Sequence, residues 1–156
     1  MENFQVRVEN LKGTKEKYEY DETAGKMHLD FVFQGGLLWP YNYGEILNTL
    51  GGDGDKLDAI IMSSQPLEIG QIIECRTVGM MELLDRGEED NKILCVPTGD
   101  LEMLKIQDLS DVDKKFLQED EDFLMQVAKQ KNKVMKVLSF QNRLRAQEEI
   151  NKAIII

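Results

Sequence analysis

The sequence predicts a mainly β fold with two α-helices in its C-terminal third. Before residue 100, turn residues separate short segments that are β-branched or that alternate between apolar and polar side chains. Beyond residue 100, the apolar spacing changes to that of an amphipathic helix. Many strands followed by a few helices favour a small β-barrel or curled sheet with helices packed on it, formed by residues 1–156 as a single domain.

The N-terminal part of the chain contains six predicted strands. Two connections, residues 22–26 and 85–90, each contain a glycine that adopts the positive φ of a tight turn at little cost. The predicted strands are residues 6–9, 17–21, 27–33, 57–62, 71–80 and 92–96.

The C-terminal part begins with a predicted helix of about five turns behind Ser110 and Asp111. A strand at residues 134–138 and a helix at residues 142–153 follow. The first helix has an apolar stripe made of Val112, Phe116, Leu117, Phe123, Leu124 and Val127. The second is expected to carry Leu144, Ile150 and Ile154 on one side. The apolar end, residues 153–156, fits either a contact between subunits or a tail folded onto its own core.

The charge of the chain limits its partners. With 29 acidic and 19 basic residues, the net charge is −10 and the isoelectric point is near 4.6. Such a field repels phosphate backbones and anionic lipids, so we expect neither nucleic acid nor a membrane as a partner. An anion site in this chain requires metal ions or a local cluster of lysines.

Two features favour a cytoplasmic protein. The first residues, 1–4, lack a secretory pattern, and no segment approaches the ~18 apolar residues of a membrane span. Cys75 and Cys95 lie in apolar alternating segments, which predicts buried free thiols.

The strongest local signal is an acidic, glycine-rich segment at residues 51–58, directly before an apolar strand. A period of two places Asp58 on the strand face that carries Ile60 and Met62. A carboxylate among apolar neighbours needs a partner, and a metal ion would serve, although a solvated turn is the alternative. The spacing excludes an EF-hand, because the sixth position from Asp53 is Asp58 rather than glycine.

Two further groups carry carboxylates. Asp85 and Asp90 flank a glycine loop, and Lys17 and Glu19 share a strand face. Each group alone also fits a charged turn or a surface ion pair worth ~0–1 kcal/mol. Together, oxygen ligands without histidine or thiol favour Mg²⁺ or Mn²⁺, and Mg²⁺ is commonly paired with phosphate substrates.

These residues resemble the family I soluble inorganic pyrophosphatases, in order from about Arg7 to Lys136. The matching pieces are Glu9, Lys17-Tyr18-Glu19, Pro40-x-Asn42-Tyr43-Gly44, Asp53-x-Asp55-x-x-Asp58, Val78-Gly79 and Asp85-x-x-x-x-Asp90-x-Lys92. The resemblance implies an OB-like closed β-barrel with flanking helices, an acidic cavity that holds several Mg²⁺ ions, and assembly into a homo-oligomer. It also implies hydrolysis of pyrophosphate to two orthophosphates by a metal-activated water.

The resemblance implies a role for each site residue. Asp55 would be the general base toward the attacking water. The metal ligands would be Asp53, Asp58, Asp85 and Asp90. The phosphates would be held by Lys17, Tyr43 and Lys92, with Lys129 as a substitute donor, and Glu9 and Glu19 would support the cavity.

Two departures from the family pattern reduce the number of side chains that can donate hydrogen bonds to phosphate. Phe31 stands where the family has an arginine that grips phosphate, and phenylalanine offers neither charge nor a hydrogen-bond donor. The family's Tyr-Lys pair falls near residues 127–129, where only Lys129 remains as a donor. Losing one such donor costs about 3 kcal/mol of transition-state stabilisation. The alternatives are therefore a hydrolase of another diphosphate, or a module that binds metal and phosphate with weak or no catalysis.

Overall fold

In the computed structural model, which describes residues 3–155, nine strands and two α-helices are formed. Two short 3₁₀ turns, Leu101–Lys105 and Leu109–Asp111, precede the first helix. The strands are β1 (Asn3–Asn10), β2 (Glu16–Asp21), β3 (Lys26–Val32), β4 (Asn42–Ile46), β5 (Asp58–Ile61), β6 (Ile72–Asp85), β7 (Glu88–Glu89), β8 (Lys92–Pro97) and β9 (Met135–Asn142). The helices are α1 (Lys114–Gln130) and α2 (Arg143–Ala153).

Five strands close into a barrel. β1 pairs with β4, β4 with β5, and β5 with β8, the last of these in parallel. β8 then pairs with β6, and β6 returns to β1, which completes the ring. The far half of the long strand β6 leaves the ring and pairs with β9 and β7. The predicted mainly β, closed-barrel fold with two helices is confirmed.

The barrel strand β4 was not among the predicted strands. Its sequence, Asn-Tyr-Gly-Glu-Ile, holds two residues that disfavour strands, so propensity gave no signal. The packing of β4 against β1 explains why glycine is found at position 44, because a Cβ there would collide with the carbonyl oxygen of Arg7 on the neighbouring strand. Glycine at this position thus permits the close approach of β1 and β4.

The barrel interior is filled by an apolar cluster to which all five ring strands contribute, and α2 covers one side of it. Its buried members include Val6, Ile46, Ala59, Ile61, Cys75, Met80, Ile93, Cys95, Ala146, Ile150 and Ala153. Both cysteines are free and buried, as predicted. Leu144, expected beside Ile150, is 70% exposed instead. Six residues of helix turn through about 600°, which separates Leu144 from Ile150 by about 120° and takes it off the buried side.

The outer face of the sheet carries a second, aromatic cluster beneath α1. Trp39 stacks on Tyr43 at a centroid distance of 5.1 Å and lies equally close to Phe123 of α1. Helix α1 begins after Asp113, whose side chain accepts from the backbone of Lys115 at 2.9 Å. The predicted start at residues 110–111 is a 3₁₀ turn just before it. Because β5 and β8 alternate, Ile60 and Leu94 point to this outer cluster.

The C-terminal tail pairs with its own barrel as far as the structure describes it, which supports the expectation of a tail folded onto its own core. Ile154 forms a bridge with Thr49, and the Ile155 amide donates to the carbonyl of Asn48 at 3.0 Å. Ile156 lies outside the described residues.

Within residues 3–155, neither helix has the length and apolar character needed to cross a bilayer.

Candidate active site

A polar cavity of about 680 Å³ opens where the β2–β3 hairpin, the barrel strands and the end of α1 meet. All but one of the predicted site residues line it. Those in the lining are Glu9, Lys17, Glu19, Tyr43, Asp53, Asp55, Asp58, Asp85, Asp90 and Lys92. The exception is Lys129, which is exposed on α1.

Lys92 is the buried centre of this cavity. The parallel register of β5 and β8 sets Asp58 beside Lys92. The Lys92 Nζ donates to Tyr43 Oη at 2.6 Å, to Asp58 Oδ2 at 3.1 Å and to Asp90 Oδ2 at 3.2 Å. Burial opposes its charge, but the two carboxylates outweigh burial and raise the pKa of Lys92 above its ordinary value. The lysine is therefore charged at neutral pH.

Two carboxyl groups of the cavity have strongly raised pKa values. Burial raises the pKa of Asp90 to about 7, with Lys92 lowering it and Asp58 raising it. Burial likewise raises the pKa of Glu9 to about 8, even though the Tyr20 amide donates to Glu9 at 2.8 Å. Burial and neighbouring carboxylates thus favour the protonated forms of both groups.

The acidic loop before β5 is folded by its own side chains. The Asp53 carboxylate accepts from the Asp55 amide at 3.0 Å, and the Gly51 amide donates to the Asp55 carbonyl at 2.6 Å. Gly54 sits between them at a φ of 87°, where a side chain would be strained. Burial and the neighbouring Asp53 raise the pKa of Asp55. The loop is thus a tight turn from which Asp55, itself exposed, lines the cavity.

A second charged group lies on the β2–β3 hairpin. The Lys17 Nζ donates to Glu19 Oε1 at 2.8 Å and to Asp30 Oδ2 at 3.1 Å. Lys131, just beyond α1, donates to the same Asp30 oxygen at 3.0 Å. Burial alone would raise the pKa of Asp30, but Lys131 and Lys17 lower it.

A third group surrounds Asp85 at the end of β6. The Lys133 Nζ donates to Asp85 Oδ2 at 2.8 Å, and the Arg86 Nε donates to Asp85 Oδ1 at 3.1 Å. These cations outweigh burial and lower the pKa of Asp85. Asp85 is thus fully ionised at neutral pH, in contrast to Asp90.

Sequence reasoning missed Asp30, Lys131 and Lys133. Lys129 was expected at the cavity, but it faces solvent from the last turn of α1, and the two later lysines line the cavity instead. Asn132 adopts a left-handed φ of 52° that ends the helix and redirects the chain. The available signal was the alternation Lys129, Lys131, Lys133 across a helix end.

The donor set suits a hard divalent cation. It consists of carboxylate oxygens, and burial raises the pKa of Glu9 to about 8 and that of Asp90 to about 7, a shift that a bound cation would oppose. Among residues 3–155, no three acidic, histidine or cysteine side chains are gathered into a finished coordination shell. Mg²⁺ needs few protein ligands, because it retains waters and binds substrate phosphates. The residues therefore fit such an ion.

Comparisons with known proteins identify the family of this chain. The family model described as inorganic pyrophosphatase matches residues 6–155. An inorganic pyrophosphatase of Synechocystis is 36% identical over 137 residues, which span 88% of this chain and 81% of the relative. That of Picrophilus torridus is also 36% identical, over 149 residues, 96% of this chain and 84% of the relative.

A solved structure gives the same answer. The inorganic pyrophosphatase of Thermus thermophilus superposes with a TM-score of 0.90 at 35% identity, covering 96% of this chain and 88% of that one. The match of nearly the full chain in both sequence and structure shows the family. This chain belongs to the family I soluble inorganic pyrophosphatases.

Proposed function

We propose that this protein hydrolyses inorganic pyrophosphate to two orthophosphates in the acidic cavity, with Mg²⁺ as its cofactor and Mn²⁺ as an alternative. One observation carries the proposal. In a member of this family, the carboxylates and the phosphate-binding cations predicted from dispersed motifs line one cavity. Its volume of about 680 Å³ has room for a diphosphate together with metal ions and water.

In the proposed mechanism, Asp53, Asp58, Asp85 and Asp90 hold the metal ions. Bound divalent ions supply Lewis acidity, lowering the pKa of a bound water and neutralising phosphate charge. Asp58 and Asp90 already share a cation, Lys92, within 3.2 Å, which supports their assignment to one charged centre.

Asp55 acts as the general base. It accepts a proton from the attacking water while the bond between phosphorus and the bridging oxygen breaks, and the leaving orthophosphate keeps the bonding electrons. Its raised pKa, caused by burial and by Asp53, supports this role, because a stronger base takes a proton more readily.

Lys17, Tyr43 and Lys92 hold the phosphates. The Lys92 Nζ donates to Tyr43 Oη at 2.6 Å, which leaves the Tyr43 hydroxyl proton for a phosphate oxygen, and Lys92 would exchange one of its three present acceptors for the same oxyanion. Glu9 and Glu19 support the site: Glu9 accepts from the Tyr20 amide, and Glu19 orients Lys17. Lys129 has no part in the proposal, because it is exposed outside the cavity.

The test is phosphate release from pyrophosphate, with and without Mg²⁺, by the parent and by Asp55→Asn. We expect Asp55→Asn to lower kcat by about 10²- to 10⁴-fold. Asp122→Asn, an exposed carboxylate on α1, is the matched control and should leave the rate unchanged. Release at background level by the parent, with Mg²⁺ bound in calorimetry, would instead identify a hydrolase of another diphosphate or a binding module.

Three broader expectations belong to the same proposal. We propose that residues 1–156 form one domain, supported by a ring that joins β1 directly to β6. We also propose action in the cytoplasm, supported by the free thiols of Cys75 and Cys95, and assembly into a homo-oligomer. Light scattering of the purified protein tests the last of these, and a monomer mass at working concentration would reject it.

A further inference from the structure

We propose that Lys131 is a substrate-binding residue, whose ammonium group donates to a phosphoryl oxygen of pyrophosphate beside Lys17. This inference rests on the proposed function and adds a donor to it. It stands on three observations: a backbone that fixes Lys131 at the cavity, an oxygen that it shares with Lys17, and an aromatic ring beneath it.

The end of α1 delivers Lys131 to the cavity. Lys131 is the C-cap, and Asn132 follows with a left-handed φ of 52°. The Lys133 amide donates back to the Ala128 carbonyl at 3.0 Å, which locks the turn. This backbone makes Lys131 and Lys133 line the cavity, whereas Lys129 stays exposed on α1.

A side-chain clamp ties this helix end to the β2–β3 hairpin. The backbone N–H of Gln34 donates to Gln130 Oε1 at 2.9 Å, and Gln130 Nε2 donates to the backbone carbonyl of Gln34 at 2.9 Å. The pair joins residues 96 positions apart, directly beside Lys131. The backbone position of Lys131 is therefore constrained before substrate arrives, which lowers the entropic cost of using the lysine.

Asp30 holds two ammonium groups side by side. Its Oδ2 accepts from Lys17 at 3.1 Å and from Lys131 at 3.0 Å. An ammonium group has three N–H donors. Among the described residues, Lys131 uses one donor on Asp30, whereas Lys17 uses two, on Asp30 and Glu19. Lys131 is thus the freer of the two donors, and a phosphoryl oxygen is the acceptor that the pair can take together.

Phe31 forms the floor below Lys131. The Lys131 Nζ lies 5.6 Å from the centroid of the Phe31 ring, which itself packs 5.8 Å from Phe33. The ring attracts the ammonium group, but it donates nothing to an anion. Lys131 therefore supplies positive charge beside Lys17 at this corner, with its side chain 22% exposed.

The decisive experiment measures pyrophosphate hydrolysis by Lys131→Met, which keeps the apolar stem over Phe31 and removes the charge. We expect kcat/KM to fall about 10- to 100-fold, the value of one charge-assisted hydrogen bond, mainly through a higher KM. Lys136→Met, an exposed lysine on β9, is the matched control and should behave as the parent. Thermal unfolding of both variants should match that of the parent.

A rescue separates binding from structural support. In the Lys131→Met background, Phe31→Arg places a guanidinium in the same corner and should recover most of the lost kcat/KM. Binding of inorganic phosphate, measured by calorimetry, should weaken in Lys131→Met and return in the double variant. Unchanged kinetics in Lys131→Met would overturn the inference, while a parent without pyrophosphate turnover would overturn the proposed function instead.

Discussion

The two faces of the barrel sheet differ in the polarity of the side chains that they bury. The barrel interior, closed by α2, is an apolar cluster drawn from all five ring strands. The outer face, beneath α1, buries aromatic rings next to a cavity filled with carboxylates and ammonium groups. Among the buried polar atoms of residues 3–155 that lack a hydrogen-bond partner are both carboxylate oxygens of Asp120, on α1, and the Tyr41 hydroxyl.

This difference separates stability from chemistry across one sheet. Neighbouring residues of β5 and β8 serve opposite faces, since Ile61 and Cys95 fill the interior while Ile60 and Leu94 support the aromatic cluster. The interior supplies apolar burial, worth roughly 25 cal/mol per Å². The outer face instead holds buried carboxyl groups, Glu9 and Asp90, whose ionisation burial opposes and a bound cation would favour. Substitutions on the two faces should therefore change different measurements.

The largest effect is expected from the interior. Ile150→Ala truncates a side chain that is 1% exposed and should lower the free energy of unfolding by about 2–5 kcal/mol. Pyrophosphate turnover well below the unfolding temperature should persist, because the cavity is on the other face. Urea titration gives the first quantity, and Leu144→Ala, at a 70% exposed position, serves as control. Loss of turnover in a folded Ile150→Ala protein would break the separation.

Metal addition should stabilise the protein from the outer face. At a Mg²⁺ concentration 100 times its Kd, the free energy of unfolding should rise by about 2.7 kcal/mol. Asp58→Asn should abolish most of that increase, since it removes a carboxylate that faces Lys92 at 3.1 Å. Ile150→Ala should keep the full increase despite its lower starting value. Urea titrations with Mg²⁺ and with chelator measure both, and an equal increase in Asp58→Asn would contradict the assignment.

Asp120 should make stability depend on pH. Burial raises its pKa from 3.8 to about 8, so the folded state holds a proton that the unfolded state releases. Its contribution is fully favourable below pH 3.8 and is lost as the pH rises to about 8. Asp120→Asn should remove this share of the pH dependence, to which Glu9 and Asp90 contribute with the same sign, and should exceed the parent at pH 9 by about 1–3 kcal/mol. Urea titrations at pH 5 and 9 test it, with Asp122→Asn as the exposed control on the same helix.

The smallest effect is expected at the cavity rim. Lys56 forms an ion pair with Glu22, whose side chain is 62% exposed, so solvent screens the attraction. A double-mutant cycle with Lys56→Ala and Glu22→Ala should give a coupling of about 0.2–1 kcal/mol that shrinks in salt. A larger, salt-independent coupling would mean that the rim shares the electrostatics of the buried cavity.

Periodicity predicted most of the fold, and close packing explains the exceptions. The strands with β-branched or alternating residues and the stripe of α1 were recoverable, because burial on one face imposes a period. β4 was not, because its strand geometry follows from the close approach of Gly44 to Arg7, a contact between distant residues. The prediction for α2 was wrong at Leu144, because this exposed leucine was assigned to the buried side of the helix on its apolar character alone.

The site was predicted unevenly for a similar reason. Carboxylates carried by short motifs, such as Asp53 and Asp58, could be identified because their spacing is local. Lys131 could not, since its direction depends on the left-handed turn at Asn132 and on the clamp between Gln34 and Gln130. Where a side chain points beyond a helix end is decided by tertiary contacts rather than by spacing.

Because of the turn at Asn132, the length of the connection between α1 and β9 should influence substrate affinity. Only residues 131–134 connect α1 to β9, and two of them, Lys131 and Lys133, line the cavity. Inserting one residue there would change which side chains the turn directs inward, with no change to a carboxylate. Relatives that gain or lose a residue in this connection should therefore differ in phosphate affinity while sharing one metal centre.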